Sequence, residues 1–207
     1  MVFNDDFLIY YKNLLSLKQL DTDSLYFKQR DESRPIIYRD TTILLQQMIL
    51  MKQPENVLEI GTNGGYSAIA MSKMMTKGRL HTIEFRIDNL IEAKKNFSLY
   101  DCKNIIPHHG RAEEILTTLD LNFDFIFIDA DKGGYPLYLD YAVKHLNDHG
   151  VIAVDNVLWK GTVFEKSENE KPSSKTLRAF NDFFMRMEGF KTIILPVGDG
   201  LAVAVKE

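Results

Sequence analysis

The amino-acid sequence predicts an α/β fold built around a mostly parallel sheet. From Asn56 onward, short apolar runs of strand length alternate with longer segments of helical periodicity, which is the pattern of βαβ units. The run 123–128 is apolar except at Asp124, as expected of a strand covered on both faces. Two apolar runs near the C-terminus flank a Gly-Asp-Gly turn and predict a hairpin, so the last strand is antiparallel.

The elements follow in order along the chain. Helices are predicted over 4–20 and 40–51 with a turn at 31–35, and we expect residues 1–52 to form a helical cap, or simply part of the core packing, in one domain of residues 1–207. The α/β core, residues 53–207, has predicted strands near 56–60, 80–84, 105–108, 123–128 and 150–154, with helices near 65–77, 87–100, 111–119 and 135–147. A polar surface loop is predicted at 165–175, then a helix near 174–187 and hairpin strands at 192–197 and 201–205.

Composition and charge limit the classes of protein to which this chain can belong. The chain has 207 residues, 45% of them hydrophobic, and a net charge of −4, so no global basic field recruits nucleic acid, although a local patch remains open. Its single cysteine, Cys102, excludes an internal disulfide and is typical of a reducing compartment. Neither a signal peptide nor an apolar stretch of membrane-spanning length is evident, and we expect a soluble, cytoplasmic protein without membrane contact.

Polar side chains follow two of the predicted strands. Asp129, Asp131 and Lys132 come directly after 123–128, and Asp155 and Asn156 come after 150–154. Parallel neighbours lie about 4.8 Å apart, so Asp129 and Asp155 converge if these strands are adjacent. Two carboxylates and an amide oxygen at one point predict a hard divalent cation, Mg²⁺, Mn²⁺ or Ca²⁺ rather than zinc.

A glycine-rich turn follows the first predicted strand, at residues 57–67. It is not the dinucleotide fingerprint, because its third position is Asn63, and it lacks the Lys-Ser/Thr of a phosphate-binding loop. Glu59 would repel a pyrophosphate and favours a ligand with an amino group and a cationic sulfur, whereas a purely structural turn is the alternative. Glu84 ends the second strand, where an acid accepts hydrogen bonds from ribose hydroxyls or is simply solvated.

Four segments together, 57–67, 127–132, 155–161 and 196–201, resemble the divalent-metal-dependent, S-adenosylmethionine-dependent O-methyltransferases, which include catechol and caffeoyl-CoA O-methyltransferases and bacterial relatives. The resemblance covers roughly residues 35–207. It implies a Rossmann-like methyltransferase fold with a seven-stranded, mostly parallel sheet, an antiparallel C-terminal hairpin and helices on both faces. It also implies S-adenosylmethionine as cofactor, Mg²⁺ ahead of Mn²⁺ or Ca²⁺, and a homodimer.

The resemblance also implies roles for individual residues. The implied metal ligands are Asp129, Asp155 and Asn156. The implied catalytic residues are Lys132, as the base, and Asp129. The substrate is expected to lie against Lys132, Asn156 and Trp159. The cofactor-binding residues are Ile37, Glu59, Gly61, Tyr66, Ser67, Glu84, Gly110, Arg111, Ala112, Asp129 and Asp131, of which Asp131 is also at the substrate mouth. The chain departs from the pattern at residues 39–42, where a lysine and a glycine are common, and at Gly134, where an asparagine is common.

Three hypotheses for function remain open. The first is methyl transfer to a hydroxyl of a catechol-like or vicinal-dioxygen small molecule. The second is methylation of a hydroxylated uridine in tRNA, with phosphate contacts from five basic residues interleaved with Glu165, Glu168 and Glu170; these are Lys160, Lys166, Lys171, Lys175 and Arg178. The third, a nucleotide-binding module without catalysis, is disfavoured by the intact Lys132 and the complete set of metal ligands.

Overall fold

The computed structural model describes residues 5–164 and 171–207, which fall into two compact units, Met1–Ile36 and Ile37–Glu207. The first unit contains α1 (Asp5–Ser16) and α2 (Asp23–Asp31). Helix α1 ends four residues before the predicted boundary at residue 20, and α2 was not predicted. Helix α2 is short and polar, with an acid in its first turn and two basic residues in its last, an arrangement that favours the helix dipole.

The second unit alternates strands and helices, as predicted. Its elements are α3 (Arg39–Lys52), β1 (Asn56–Ile60), α4 (Tyr66–Ser72), β2 (Arg79–Glu84), α5 (Ile87–Leu99), β3 (Ile105–His109), α6 (Ala112–Leu116), β4 (Phe123–Ile128), α7 (Tyr135–His145), β5 (Leu146–Val154), α8 (Pro172–Met185), β6 (Phe190–Leu195) and β7 (Leu201–Lys206). Single turns of 3₁₀ helix lie at Lys132–Gly134 and Trp159–Gly161. Helix α3 belongs to this unit, and the predicted division into cap and core within one domain stays a prediction.

The sheet has seven strands in the order β3-β2-β1-β4-β5-β7-β6. Strands β1 to β5 pair in parallel, whereas β7 runs antiparallel to both β5 and β6. The predicted fold class, a mostly parallel seven-stranded sheet with an antiparallel C-terminal hairpin, is confirmed. Both faces are covered: Ile126 packs into a core layer with residues of α6, α7 and α8, while Phe125 and Phe127, whose side chains alternate with it, are equally buried.

Several boundaries differ from the prediction. Helix α4 ends at Ser72 instead of continuing to residue 77. Strand β5 begins at Leu146, and its pairing with β4 shifts register between Phe123 and Phe125. Part of the predicted loop 165–175 is helical, because Pro172 occupies the first turn of α8, where its missing N–H removes no hydrogen bond. Residues 165–170 of that loop lie outside the described residues.

Strand pairing brings the predicted polar residues to one edge of the sheet. Strands β4 and β5 are neighbours with Ile128 opposite Val154, so Asp129 and Asp155 follow at the same level. The Asp155 N–H continues the ladder to the Ile128 carbonyl at 3.0 Å, and the Asp129 N–H donates to the Ile60 carbonyl at 2.9 Å. The predicted convergence of the two acids is therefore confirmed.

None of the helices in the described ranges combines the length and the apolar character needed to cross a bilayer. The predicted cytoplasmic location stays a prediction.

Two histidines, His81 of β2 and His108 of β3, stack on each other. His81 Nδ1 lies 3.0 Å from His108 Nε2, and the rings are 5.2 Å apart between centroids. Burial lowers the pKa of both imidazoles, and the neighbouring charge of His108 lowers the pKa of His81 further.

This pair predicts acid sensitivity of the fold. Because the folded-state pKa values lie below the ordinary 6.5, the unfolded chain binds more protons just below that pH, so the free energy of unfolding falls on acidification by up to about 1.4 kcal/mol per pH unit for each proton. In His108→Gln this slope should be shallower, as measured by chemical unfolding between about pH 5 and pH 7, the range in which an ordinary histidine gains most of its charge on acidification. Parallel slopes for the variant and the parent would contradict the assignment.

Candidate active site

Lys132 lies at the centre of the edge where β4 and β5 end. Its Nζ donates hydrogen bonds to the Tyr135 hydroxyl at 2.6 Å, the Asn156 Oδ1 at 2.8 Å and the Ala130 carbonyl at 3.1 Å. The side chain is only 12% exposed, and Asp129 Oδ1 is 3.7 Å away. All three protons of the ammonium thus have acceptors, which fixes the direction of this group.

Burial lowers the pKa of Lys132, although the charges of Asp129, Asp155 and Asp199 act in the opposite direction. A lysine whose pKa is lowered by desolvation loses its proton more readily than a lysine in water. A lowered pKa is what a general base needs, so these surroundings are compatible with the role predicted for Lys132, which stays a prediction.

The two strand-end carboxylates are held in an environment that opposes their charge. Asp155 is fully buried, and desolvation, followed by the charge of Asp129, raises its pKa well above the usual range. The side chain of Asp129 is 24% exposed; burial raises its pKa too, and the charge of Lys132 counteracts that effect. Asp155 Oδ2 accepts a hydrogen bond from the Asn156 amide at 3.0 Å, whereas the buried Oδ1 has no hydrogen-bond partner among the described residues.

A divalent cation would give the buried Asp155 Oδ1 the partner that it lacks among the described residues. No group of three or more His, Cys, Asp or Glu side chains suited to a metal occurs in residues 5–164 and 171–207, so the candidate set is two carboxylates and one amide. Oxygen donors of this kind fit a hard cation, and a buried carboxylate oxygen without a proton donor is otherwise costly. The Asn156 oxygen now accepts from Lys132 and would exchange this contact for the cation. The residues fit the group, and the metal site stays a prediction.

Asp131 holds the short turn that carries Lys132. Its Oδ2 accepts from the Gly134 N–H at 2.9 Å and its Oδ1 accepts from the Tyr138 hydroxyl at 2.8 Å. A Cβ atom at Gly134 would lie 2.3 Å from the Tyr138 ring. In this chain Tyr138 therefore occupies the space that a side chain at position 134 would need, which gives a physical reason for the departure noted in the sequence.

The glycine-rich turn after β1 is shaped by close backbone approach. Gly61 has φ +107°, and a Cβ atom there would lie 2.0 Å from the Asp129 carbonyl oxygen. Gly65, with φ +85°, precedes the first residue of α4. Only glycine tolerates both the conformation and the contact at position 61, so this residue sets how closely the ends of β1 and β4 approach.

Glu59 lies beneath this turn and is fully buried. Its two carboxylate oxygens accept hydrogen bonds from the Ser67 and Thr82 hydroxyls, at 2.5 Å each. Burial raises the pKa of Glu59 to about 8, with smaller contributions from the charges of Asp129 and Glu84. The acid predicted to line the methionine part of the cofactor thus ties the turn to β1, α4 and β2.

Glu84 joins the end of β2 to the same turn. It is 8% exposed, and its carboxylate accepts from the Asn63 N–H and the Arg86 N–H, at 2.7 Å each. Its carbonyl accepts from the Gly110 N–H at 3.0 Å, so the end of β3 is connected as well. The Arg111 guanidinium lies 4.7 Å from the centroid of the exposed Phe85 ring.

The predicted site residues thus form two groups along one edge of the sheet. At the ends of β4 and β5 the structure brings together Lys132, Asp129, Asp155, Asn156 and Trp159, whose half-buried ring has its centroid 5.5 Å from the Lys132 amine. At the ends of β1, β2 and β3 lie the predicted cofactor residues Glu59, Gly61, Tyr66, Ser67, Glu84, Gly110, Arg111 and Ala112. Ile37 is buried just before α3.

Two residues of the site were not identified from the sequence. Tyr135 is fully buried; its hydroxyl accepts from Lys132 and donates to the Asp155 carbonyl at 2.7 Å, which links the two strand ends. Its position three residues after Lys132, one helical turn away, was the available signal. The second is Asp199, a buried acid in the hairpin turn that the sequence marked only as a turn.

Four of the five basic residues of the tRNA hypothesis lie in the described part of the chain, one in the turn after β5 and three at or within α8. The Arg178 guanidinium donates to the Val163 carbonyl at 2.9 Å. Lys160 is exposed, Lys171 immediately precedes α8 and Lys175 lies within it. Lys166 lies outside the described residues, as do the acids predicted to interleave with it.

The chain is similar to known enzymes over most of its length. A family model described as O-methyltransferase matches residues 10–207. A catechol O-methyltransferase of Niastella koreensis is 34% identical over 172 residues, which cover 78% of this chain and 77% of the relative. A putative caffeoyl-CoA O-methyltransferase of Staphylococcus aureus has a crystal structure that superimposes with a TM-score of 0.88 at 28% identity, covering 96% of this chain and 98% of that one. The O-methyltransferase TomG of Streptomyces achromogenes, solved in complex with SAM, gives 0.80 at 28% identity, with coverages of 96% and 94%.

The pKa of Glu59 predicts an alkaline effect opposite in sign to that of the histidine pair. Because the folded-state pKa, about 8, lies above the ordinary 4.5, the folded chain binds the extra proton between these values, and the free energy of unfolding falls as pH rises through that window. Glu59→Gln should lack this decline and gain stability relative to the parent between pH 5 and pH 8, a difference of roughly 1–4 kcal/mol at the upper end. Chemical unfolding of both proteins at matched pH measures it, and since the histidines are common to both, a difference that is independent of pH would refute the assignment.

Proposed function

Because this chain belongs to the O-methyltransferase family, we propose that it transfers the methyl group of S-adenosylmethionine to a hydroxyl oxygen of a small molecule bearing two adjacent oxygens, with a divalent cation bound beside Lys132. One observation carries the proposal: a buried, oriented lysine amine lies next to two desolvated carboxylates, one of which has an oxygen without a partner. A structural lysine would need neither the lowered pKa nor the open oxygen.

The methyl donor is assigned to the ends of β1, β2 and β3. The complex of TomG with SAM supports this choice of donor. Glu84 would accept hydrogen bonds from the ribose hydroxyls through the remaining lone pairs of its carboxylate. The turn at Gly61, which has no side chain, would allow the donor to approach the backbone beside Asp129.

The acceptor is assigned to the ends of β4 and β5, between Lys132 and Trp159. Similarity to a catechol O-methyltransferase supports a catechol-like acceptor. The cation would be held by Asp129, Asp155 and Asn156, and when bound it would orient two adjacent oxygens and lower the pKa of a hydroxyl. Mg²⁺ is the first choice, with Mn²⁺ or Ca²⁺ as alternatives, because all three prefer oxygen ligands.

Lys132 would take the proton of the acceptor hydroxyl at its Nζ. Tyr135 and Ala130 would keep the amine aimed at that proton, since both accept hydrogen bonds from it in the structure. The acceptor oxygen would then form a bond to the methyl carbon while the carbon–sulfur bond breaks, and the sulfonium would leave as a neutral thioether. Opposite charges cancel in this step, so the buried surroundings of Lys132 favour it.

The alternatives stand less well supported. No contact among the described residues favours tRNA as the acceptor, and it remains one arm of the assay. A nucleotide-binding module without catalysis would have no use for the oriented Lys132. The homodimer implied by the resemblance, like the cytoplasmic location, stays a prediction.

Removal of a proposed metal ligand should abolish methyl transfer and leave cofactor binding intact. Asp155→Ala should abolish transfer of labelled methyl to a catechol panel or to undermodified tRNA while leaving the affinity for S-adenosylmethionine unchanged in calorimetry. Lys132→Ala should bind cofactor normally and slow transfer by about 10²–10⁴-fold. Each assay is run with Mg²⁺ and with EDTA. Activity that survives in Asp155→Ala, or in the parent with EDTA, would overturn the metal-dependent mechanism.

Loss of the proposed ribose acceptor should affect the cofactor alone. Glu84→Ala should weaken S-adenosylmethionine binding by roughly 1–3 kcal/mol, as expected for hydrogen bonds to a charged group. Glu55→Ala is the matched control, because Glu55 is exposed at the opposite edge of the sheet, where it pairs with Lys77. Thermal unfolding of each variant checks that the fold survives. Equal affinities of the Glu84 variant and the parent would remove Glu84 from the cofactor site.

A further inference from the structure

We infer that Asp199 is a positioning residue for the acceptor side of the site, acting through the backbone of Trp159 and Lys160. The inference rests on the proposed function for its kinetic consequence, but its structural part stands on contacts alone. Asp199 is in the turn between β6 and β7, and Trp159 and Lys160 follow β5, so the contact joins segments 39 residues apart.

The contact is a hydrogen bond from the Lys160 N–H to the Oδ1 of Asp199, called here the Asp199 latch. Asp199 is 8% exposed, so its carboxylate is largely withdrawn from water. A hydrogen bond to an ionised carboxylate in such surroundings is stronger than one between neutral groups. Two further backbone bonds run alongside it: the Leu158 N–H donates to the Asp199 carbonyl and the Val157 N–H to the Gly200 carbonyl, each at 3.0 Å.

The backbone held by the latch is in an unfavourable conformation. Trp159 has φ +46° and Lys160 has φ +54°, values that residues with a side chain rarely adopt and that a large side chain such as tryptophan adopts least often. A conformation of this kind persists only where the surrounding contacts determine it. The Asp199 latch supplies such a contact at Lys160, directly after the indole.

The turn between β6 and β7, which carries Asp199, is itself held in place by hydrogen bonds. The Gly200 N–H closes the turn onto the Val197 carbonyl at 2.9 Å, and the Gly198 N–H donates to Asp40 Oδ2 on α3 at 3.1 Å. A Cβ atom at Gly200 would lie 2.4 Å from Leu158, so the turn and the segment after β5 are in close contact. Asp199 therefore holds the backbone of Lys160 at a fixed position relative to the hairpin turn.

The consequence falls on the indole of Trp159, which lies beside the Lys132 amine. If the latch is lost, the backbone at 159–160 is free to relax and the indole leaves its place next to the proposed acceptor. The ends of β1, β2 and β3, where the methyl donor is assigned, have no part in the latch. The change should therefore appear in the acceptor kinetics and not in donor affinity.

The test compares Asp199→Ala with Asp199→Asn. The asparagine retains an oxygen that accepts from the Lys160 N–H, whereas the alanine does not, and both leave the backbone bonds to Leu158 and Val157 in place. Trp159 is the only tryptophan of the chain, so its emission and its quenching by acrylamide report on this segment directly. Asp199→Ala should show red-shifted emission, stronger quenching and an acceptor KM raised by about tenfold, the effect of one lost hydrogen bond.

Asp199→Asn should stay much closer to the parent than Asp199→Ala does in emission, quenching and acceptor KM, because the amide oxygen still accepts from the Lys160 N–H although without the added strength of a charge. Both variants should keep the parent's affinity for S-adenosylmethionine. Unchanged emission and quenching in Asp199→Ala, or an Asp199→Asn variant as impaired as the alanine, would overturn the inference; the second result would assign Asp199 an electrostatic effect instead. If Asp199→Ala does not fold, Asp199→Ser, whose hydroxyl is too short to reach Lys160, replaces it. Failure of the proposed function would appear separately, as absence of methyl transfer by the parent, while the fluorescence still tests the latch.

Discussion

The site depends on the desolvation of two carboxylates at the ends of neighbouring strands. Asp129 and Asp155 are placed there by the pairing of β4 with β5, and burial raises the pKa of both carboxyl groups, although the Asp129 side chain keeps 24% of its surface exposed. One amine, that of Lys132, lies among them and is in turn shaped by their field. Moving the lysine would leave the two acids without their nearest cation, whereas the direction of the lysine amine itself depends on hydrogen bonds to Tyr135, Asn156 and Ala130. The residue predicted to act as the base therefore also offsets the charge of its buried neighbours.

The strand order places two separate groups of residues along the edge of the sheet. The ends of β1, β2 and β3 are tied to one another by Glu59 and Glu84, both buried and both engaged by hydrogen bonds. The ends of β4 and β5 are tied by Tyr135 and, through the antiparallel β7, by the turn that contains Asp199. A parallel seventh strand would have started at the opposite edge and delivered no turn here. The single antiparallel strand thus completes the half of the site assigned to the acceptor.

Much of this architecture was predictable, for identifiable physical reasons. The limits of β1 and β4 were predicted to the residue, because strands buried on both faces are mostly apolar runs that end where glycine or polar residues follow. The convergence of Asp129 and Asp155 followed from parallel pairing. Helix α2 escaped prediction because it is only nine residues long and its three apolar residues, Leu25, Tyr26 and Phe27, are consecutive in the sequence and do not show helical spacing. The contact of Asp199 with Lys160 was out of reach for another reason: no local pattern encodes a hydrogen bond between a turn and a backbone segment distant in sequence.

The close fit of Tyr138 against Gly134 has a consequence for substitutions at either position. The tyrosine ring fills the volume above the glycine, and its hydroxyl is committed to Asp131, so the two positions are not free to vary independently. An asparagine introduced at position 134 into this background would force the end of the Tyr138 side chain to move and would disturb its hydrogen bond to Asp131, whereas the same exchange after Tyr138 has been replaced by a smaller residue would not meet this ring. The effects of exchanges at positions 134 and 138 are therefore expected to be non-additive. Whether a side chain at position 134 is tolerated depends in this chain on the residue at position 138.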